Sequence, residues 1–526
     1  MKIQAKIISG VLACILLLAG CGSTVSENTS SGNISSNEST IVDYDDSEII
    51  TSDEDIVSDD VDSEDTSDSG STGVSSTSSK KSSSSKKSST SSTISGAPTA
   101  SHADSYDTSN AGVRDLKGRT IKIFENGFSE ESAKQTESGK KYLAYVESLA
   151  KKFNCKIEFL SSTVNYDSIK LSIASGLPSC DILSGGGPHM LPDWISSGMA
   201  QDLDQFKVFD FNSDDLDPIS VDATTYKGKH YGIHGALQCF EKVQFFNVLI
   251  YNKDLLKRCG VTDDIPSLVA SKKWTWDKFK EICAKVNQPS KGIYAIAAND
   301  QGTSNSYFYS ALVESNGGLI VTNGSNGYSF TANSTKANKA LEFYTKTLHN
   351  YVKLDANVST FQGGNIGFIA TYAERLTRGF STMSDDYGVT YMPLGPDAKD
   401  YVTYENWYSY YIIPKGVKNA EDVACVLNEL CKPTLSATQE KKVFKTMVNS
   451  YVRDEASYNV LSTLDQNGAY HPLYDCNAIM VGDSTWSGEG WLNYYVPEIF
   501  NGSMTATQAF QTVEKQYAAK IKDIWK

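Results

Sequence analysis

The chain has 526 residues, 40% of them hydrophobic, and a formal net charge of −15. Hydrophobic cores stop growing near roughly 250–300 residues, so at least two folded units are expected. Residues 22–112 hold 17 Asp/Glu against 4 Lys, while residues 113–526 hold 46 Asp/Glu against 42 Lys/Arg, so the body is nearly neutral and gives no reason to expect the basic face of a nucleic-acid binder.

Lys2 and Lys6 precede the apolar stretch Ile7–Leu18. That stretch falls short of the roughly 20 residues a membrane-spanning helix needs and reads as the apolar region of a secretory signal. It ends in Leu18-Ala19-Gly20-Cys21, which resembles the bacterial lipoprotein box. The resemblance implies a signal peptide over 1–20, cleavage before Cys21 and a lipid on its sulfur. Acyl chains contribute about 0.8 kcal/mol per buried methylene, so two or more hold a protein stably at a membrane. The expected location is the outer face of a Gram-positive-type cell membrane.

After Cys21, Ser and Thr supply 41 of the residues from 22 to 112. Such a segment cannot bury enough apolar surface to offset its ordering entropy and is expected to be a disordered tether. As a coil it spans roughly 50–60 Å. The clusters Asp53-Glu54-Asp55 and Asp59-Asp60-Val61-Asp62 lack the glycine turn and spaced Glu of a calcium loop. They read as a solvated charge run, and no metal site is expected.

The body alternates two periodicities. Thr120–Phe124 predicts a strand, Tyr142–Phe153 a helix, Lys156–Leu160 a strand, Ile169–Ala174 a helix and Asp181–Leu183 a strand. This order predicts an α/β fold on a parallel sheet. The alternation resumes after Tyr251, with helices at Trp276–Val286 and Ser334–Leu348 around a strand near Tyr294–Ala298. Thr275 or its predecessor is placed to cap the helix at Trp276. Eight cysteines remain beyond Cys21. None forms a C-x-x-C pair, and they are expected to be mostly free thiols. Elbow, zincin, P-loop and dinucleotide motifs are missing, so no cofactor is expected. Gly185-Gly186-Gly187 is followed by Pro188, which lacks an N–H, so the stretch makes a poor phosphate cradle.

Several passages in order carry a more specific signal. Ser179-Cys180-Asp181-Ile182-Leu183 leads to Ser197-Gly198-Met199-Ala200-Gln201-Asp202-Leu203, then to Lys227-Gly228-Lys229-His230-Tyr231-Gly232-Ile233. Leu249-Ile250-Tyr251-Asn252-Lys253-Asp254-Leu255-Leu256 precedes Trp274-Thr275-Trp276-Asp277. Ser315-Asn316-Gly317-Gly318, Phe361–Phe368, Tyr387–Pro393 and Ile413-Pro414-Lys415-Gly416 complete the set. Together they resemble the extracellular solute-binding proteins of ABC importers, family 1, the sugar-binding group that includes maltose-binding protein. His234 stands where that family usually has proline, and Lys257–Thr275 departs in length. The resemblance implies a two-lobe type II binding-protein fold with three hinge crossings, near Val243–Asn247, Val389–Pro393 and Asn449–Glu455. Lobe one is expected over 113–244 plus 390–450, and lobe two over 245–389 plus 451–526.

A sugar offers hydroxyls at its edge and a C–H face that packs on aromatic rings. Gly186 and His189 lie on a glycine loop leaving a strand, where open α/β sheets bind ligands. Tyr307 and Phe308 precede Ser315-Asn316-Gly317-Gly318 at the spacing where family members stack an aromatic. Tyr372, with Glu374 or Arg375, follows Phe368 where family members often place a stacking Trp. Trp407 with Glu405 and Asn406, one of Trp486 and Trp491, and Gln238 with Glu241 complete the candidate set. The resemblance implies a carbohydrate ligand, ABC permease subunits as partners, a membrane contact through the lipid, a monomer and no catalysis. Open alternatives are a surface polysaccharide-active enzyme, the same fold taking a peptide or polyamine, and a sugar sensor.

Overall fold

Short apolar runs separated by amphipathic helices build two five-stranded sheets in a computed structural model. It describes residues 114–125, 128–135, 137–160, 166–186, 191–238, 241–298, 307–324, 327–403, 409–464 and 490–524. The signal segment and tether fall outside that range, as do His189, Glu405, Asn406, Trp407 and Trp486.

The strands are β1 (Thr120–Phe124), β2 (Lys156–Phe159), β3 (Ile182–Gly186), β4 (Thr225–Tyr226), β5 (Lys229–His230), β6 (Gly232–Ile233) and β7 (Asn247–Asn252). There follow β8 (Tyr294–Ala297), β9 (Val321–Gly324), β10 (Gly327–Phe330), β11 (Val352–Lys353), β12 (Ile366–Tyr372), β13 (Tyr387–Thr390) and β14 (Ser409–Ile412). The first sheet has the order β2-β1-β3-β14-β6 and the second β11-β8-β12-β7-β13.

The expected parallel sheet is only partly realised. β1 runs parallel to β2 and β3, but β14 is antiparallel to both β3 and β6. The chain leaves the first sheet after β6 and re-enters it at β14, so the returning strand opposes its neighbours. The second sheet repeats this construction. β8 is parallel to β11 and β12, whereas β7, entering from the first sheet, is antiparallel to β12 and β13.

All six residues of β7 are buried, as befits a central strand covered on both faces. The helix Trp276–Val286 buries Trp276, Phe279, Ile282, Cys283 and Val286 on one stripe, and Thr275 caps it by accepting from Lys278 N. Trp274 Nε1 donates to Tyr391 O at 2.8 Å, pinning the segment beyond β13. The helix expected over Ser334–Leu348 is α-helical over Thr335–Glu342 and widens to a π turn over Phe343–Thr347. A separate apolar group, including Ile121, Ile123, Ile182, Phe209 and Val426, fills one side of the first sheet.

Cys155, Cys180, Cys259, Cys283, Cys425 and Cys431 are free thiols. No described helix is long and apolar enough to cross a membrane.

Gly388 on β13 lies under the ring of Tyr251, and a Cβ there would meet Tyr251 Cζ at 2.4 Å. Gly388→Ala is therefore expected to cost about 1–3 kcal/mol through overpacking. Urea unfolding measures this, and an unchanged midpoint would contradict the packing.

Candidate functional site

The segments joining the two sheets bundle together at one place. Residues 234–246 carry the chain from β6 to β7, and 391–408 carry it back from β13 to β14. Thr403 Oγ1, on the second connection, donates to the carbonyl of Asn247, the first residue of β7, at 2.6 Å. Gln238, on the first connection, ties it to a third segment. Its Oε1 accepts from Thr434 N at 3.0 Å and Leu435 N at 3.3 Å, and its Nε2 donates to Leu435 O at 3.1 Å. Lys242 Nζ pairs with Glu440 at 2.6 Å along the same seam. The helix Glu455–Leu464 then packs on the second sheet, where Ser457 Oγ accepts from Val389 N at 2.8 Å.

Around these crossings the second sheet gathers buried polar groups. Asn247 is 1% exposed and donates through Nδ2 to Glu314 Oε2, on the helix Tyr307–Ser315. Thr371, next to the end of β12, and Thr390, the end of β13, are both buried. Burying such groups is costly unless they are hydrogen-bonded, so a polar cluster in an otherwise apolar sheet marks a place where chemistry overrides packing. Tyr372 closes β12 opposite Asn247 and is half-buried, with the ring of Phe245 edge-on at 6.3 Å.

Glu374 and Arg375 follow on the turn Ala373–Thr377 and are 2% and 7% exposed. Glu374 Oε1 accepts from Arg378 Nε at 2.7 Å and Oε2 from Arg375 at 3.2 Å. Both carboxylate oxygens are engaged by guanidinium groups, so Glu374 fixes this turn.

In the first sheet, Glu125 follows β1 directly and is 6% exposed, accepting from Tyr142 Oη at 3.1 Å. Burial pushes its carboxyl up to about 7, against the opposing pull of the Tyr142 hydroxyl. Gly186 ends β3 opposite Ser409. His234 presents its ring parallel to Tyr411 at 5.5 Å, filling the usual proline position with a stacked imidazole.

The sequence-derived candidates therefore separate. Gly186, Gln238, Glu241 and Tyr372 sit on or beside the connecting segments. Tyr307 opens its helix. Phe308 is fully buried between Phe279 and Tyr344, a core position that leaves no face for a ligand. Trp491 is likewise fully buried, stacked on Phe510 at 4.7 Å with its Nε1 donating to Tyr309 Oη. This core position leaves Trp491 no face for a ligand.

Three residues were missed by the pattern reading. Asn247 interrupts the apolar run Phe245–Tyr251, Glu314 lies inside the apolar helix Tyr307–Ser315, and Glu125 follows Thr120–Phe124 without a break. In each case the signal was a polar residue where the periodicity calls for an apolar one. Among the described residues, no group of three or more His, Cys, Asp or Glu is placed to hold a metal ion.

This architecture is the two-lobe, maltose-binding-protein-like fold of solute-binding proteins. The model of the family described as bacterial extracellular solute-binding protein matches residues 132–430. The chain belongs to that family.

Solved structures agree on the fold. A cyclo/maltodextrin-binding protein complexed with maltotetraose is similar with a TM-score of 0.53 at 15% identity, over 77% of this chain and 98% of that one. The GacH receptor of Streptomyces glaucescens, described unliganded and with acarbose, gives 0.51 at 15% identity, over 77% and 99%. An ABC substrate-binding protein of Listeria monocytogenes in complex with cycloalternan gives 0.50 at 17% identity, over 77% and 99%. Comparison with curated protein sequences gives no match.

Proposed function

We propose that this protein is the lipid-anchored binding subunit of a carbohydrate ABC importer. It captures an oligosaccharide between lobes 113–244 plus 390–450 and 245–389 plus 451–526, and delivers it to permease subunits. Cys21 carries the lipid, the 21–112 tether lifts the body off the membrane, and the chain works as a monomer without catalysis. The observation that carries this reading is the half-buried Tyr372 at the crossings, backed by a buried polar frame in which Asn247, opposite it, bonds Glu314 and accepts from Thr403 through its carbonyl. A sugar's C–H face packs on such a ring, and the polar frame behind it fixes the ring's position.

Tyr372 supplies the stacking face, and Gly186, His189, Tyr307, Asn406, Trp407 and Trp486 border the ligand. Few backbone torsions need to change for the lobes to close, because the chain passes between them only at the crossings.

A thermal-unfolding screen against mono- and oligosaccharides, peptides and polyamines tests the reading. A ligand at 100 times its Kd stabilises by about 2.7 kcal/mol, which raises the Tm by a degree or more. A shift with an intact oligosaccharide is expected. A shift with only a peptide or polyamine overturns the ligand class, and cleavage of the sugar in the same samples overturns the binding-protein reading.

A further inference from the structure

The second lobe carries a cavity at the far end of β7 from Asn247, beside the expected crossing at Asn449–Glu455. Its volume is about 460 Å³, and it lies between the end of β7, the segment 261–266 and the start of the helix Glu455–Leu464. Tyr251 contributes its floor, four residues beyond Asn247. At about 3.3 Å per residue that is roughly 13 Å along the strand from the candidate sugar site.

We propose that this cavity is a second ligand site, built for a primary alkylammonium group carried by a small amine or a lysine side chain.

Three observations carry the assignment. First, Tyr251 is 5% exposed, lines the cavity, and its hydroxyl has no hydrogen-bond partner among the described residues. The ring is packed away, but the hydroxyl oxygen is not fully buried, so it reaches the cavity and is available to bond a ligand there. Second, that phenol faces negative charge. Asp454, Asp264 and Asp386 act on it together with burial, and all push its ionisation up. Third, the charges of the lining favour a cation. Once the ion pairs within and behind the lining are set aside, Asp264 and Glu455 stand against Lys257. Asp263 is matched from outside by Lys278 and Lys285, at 3.2 and 3.3 Å, and Lys253 is held by Asp454 and by Asp386.

The remaining wall is apolar, with Leu256, Val261 and Ile265 at 4%, 8% and 2% exposure. An alkyl chain lies against that wall while the ammonium directs its three donors to the Tyr251 hydroxyl and the neighbouring carboxylates. Gly388 belongs to the same device, since only its missing Cβ lets the Tyr251 ring reach this position.

Calorimetric titration of the full chain with n-pentylammonium, pentanol and pentanoate tests the proposal, with Nα-acetyl-lysine methylamide as a further arm. Pentylammonium is expected to bind with one-to-one stoichiometry, at least tenfold tighter than pentanol, while pentanoate does not bind. Tyr251→Phe, and Asp264→Asn, which keeps the cap on Ser267 N, are each expected to weaken that binding at least fivefold. Neither alters the sugar-induced thermal shift. Tighter binding of the lysine derivative identifies a partner chain as the source, and tighter binding of pentylammonium a free amine. Pentylammonium binding no tighter than pentanol, or unchanged in whichever of the two variants folds, overturns the site.

Discussion

Glu374→Ala is expected to destabilise the protein by about 3–5 kcal/mol, the cost of breaking a buried ion pair from one side. Glu374 is 2% exposed and its carboxylate accepts from both Arg375 and Arg378. Arg375 is itself 7% exposed, so losing the carboxylate leaves a cation in a largely dry setting without its adjacent counter-charge. Glu374→Gln keeps an acceptor and the side-chain shape, and is expected to cost less than the alanine variant. Because the turn follows Tyr372 directly, the alanine variant should also weaken sugar binding. Denaturant unfolding measures the first effect, and a loss under 1 kcal/mol for Glu374→Ala would show that the pair is not held in the folded protein.

The second large effect depends on pH. The Glu125 carboxyl is pushed up to about 7 from an ordinary 4.5 by burial. A carboxyl whose folded pKa is raised binds its proton more tightly folded than unfolded, so its contribution is complete below pH 4.5. That contribution falls as pH rises and is lost once pH passes 7. At 1.36 kcal/mol per pKa unit the full loss is about 3 kcal/mol. Glu125→Gln stays neutral at every pH and can still accept from Tyr142. The variant is therefore expected to match the parent near pH 4.5 and to exceed it by about 3 kcal/mol above pH 8. Unfolding curves for the two proteins that stay parallel across this range would contradict a buried, protonated Glu125.

Much of the fold was legible because the body obeys its periodicities. The strand at Thr120–Phe124 and the helix at Trp276–Val286 fall where apolar spacing puts them, and Thr275 caps that helix as its side chain allows. The antiparallel β14 was not legible. Its direction follows from where the chain re-enters the first sheet, which is a long-range property with no local signature.

The site was harder to read for a related reason. Phe308 has the composition and spacing of a ligand contact, yet helix geometry turns it between Phe279 and Tyr344. Gln238 has a side chain suited to sugar hydroxyls, yet it is occupied in clipping 434–435 to the first connection. Asn247 falls in the expected crossing Val243–Asn247, but nothing local in the sequence shows that its amide reaches Glu314. Aromatic and amide residues serve cores and ligands equally well, and only the fold decides which.

The central claim is that a carbohydrate is captured between the two lobes. Small-angle X-ray scattering of the protein with and without a saturating oligosaccharide identified by the thermal screen tests it most directly. Lobe closure predicts a smaller radius of gyration with sugar and no change with a non-binding sugar of the same size. Scattering identical with and without the bound sugar would contradict capture by closure.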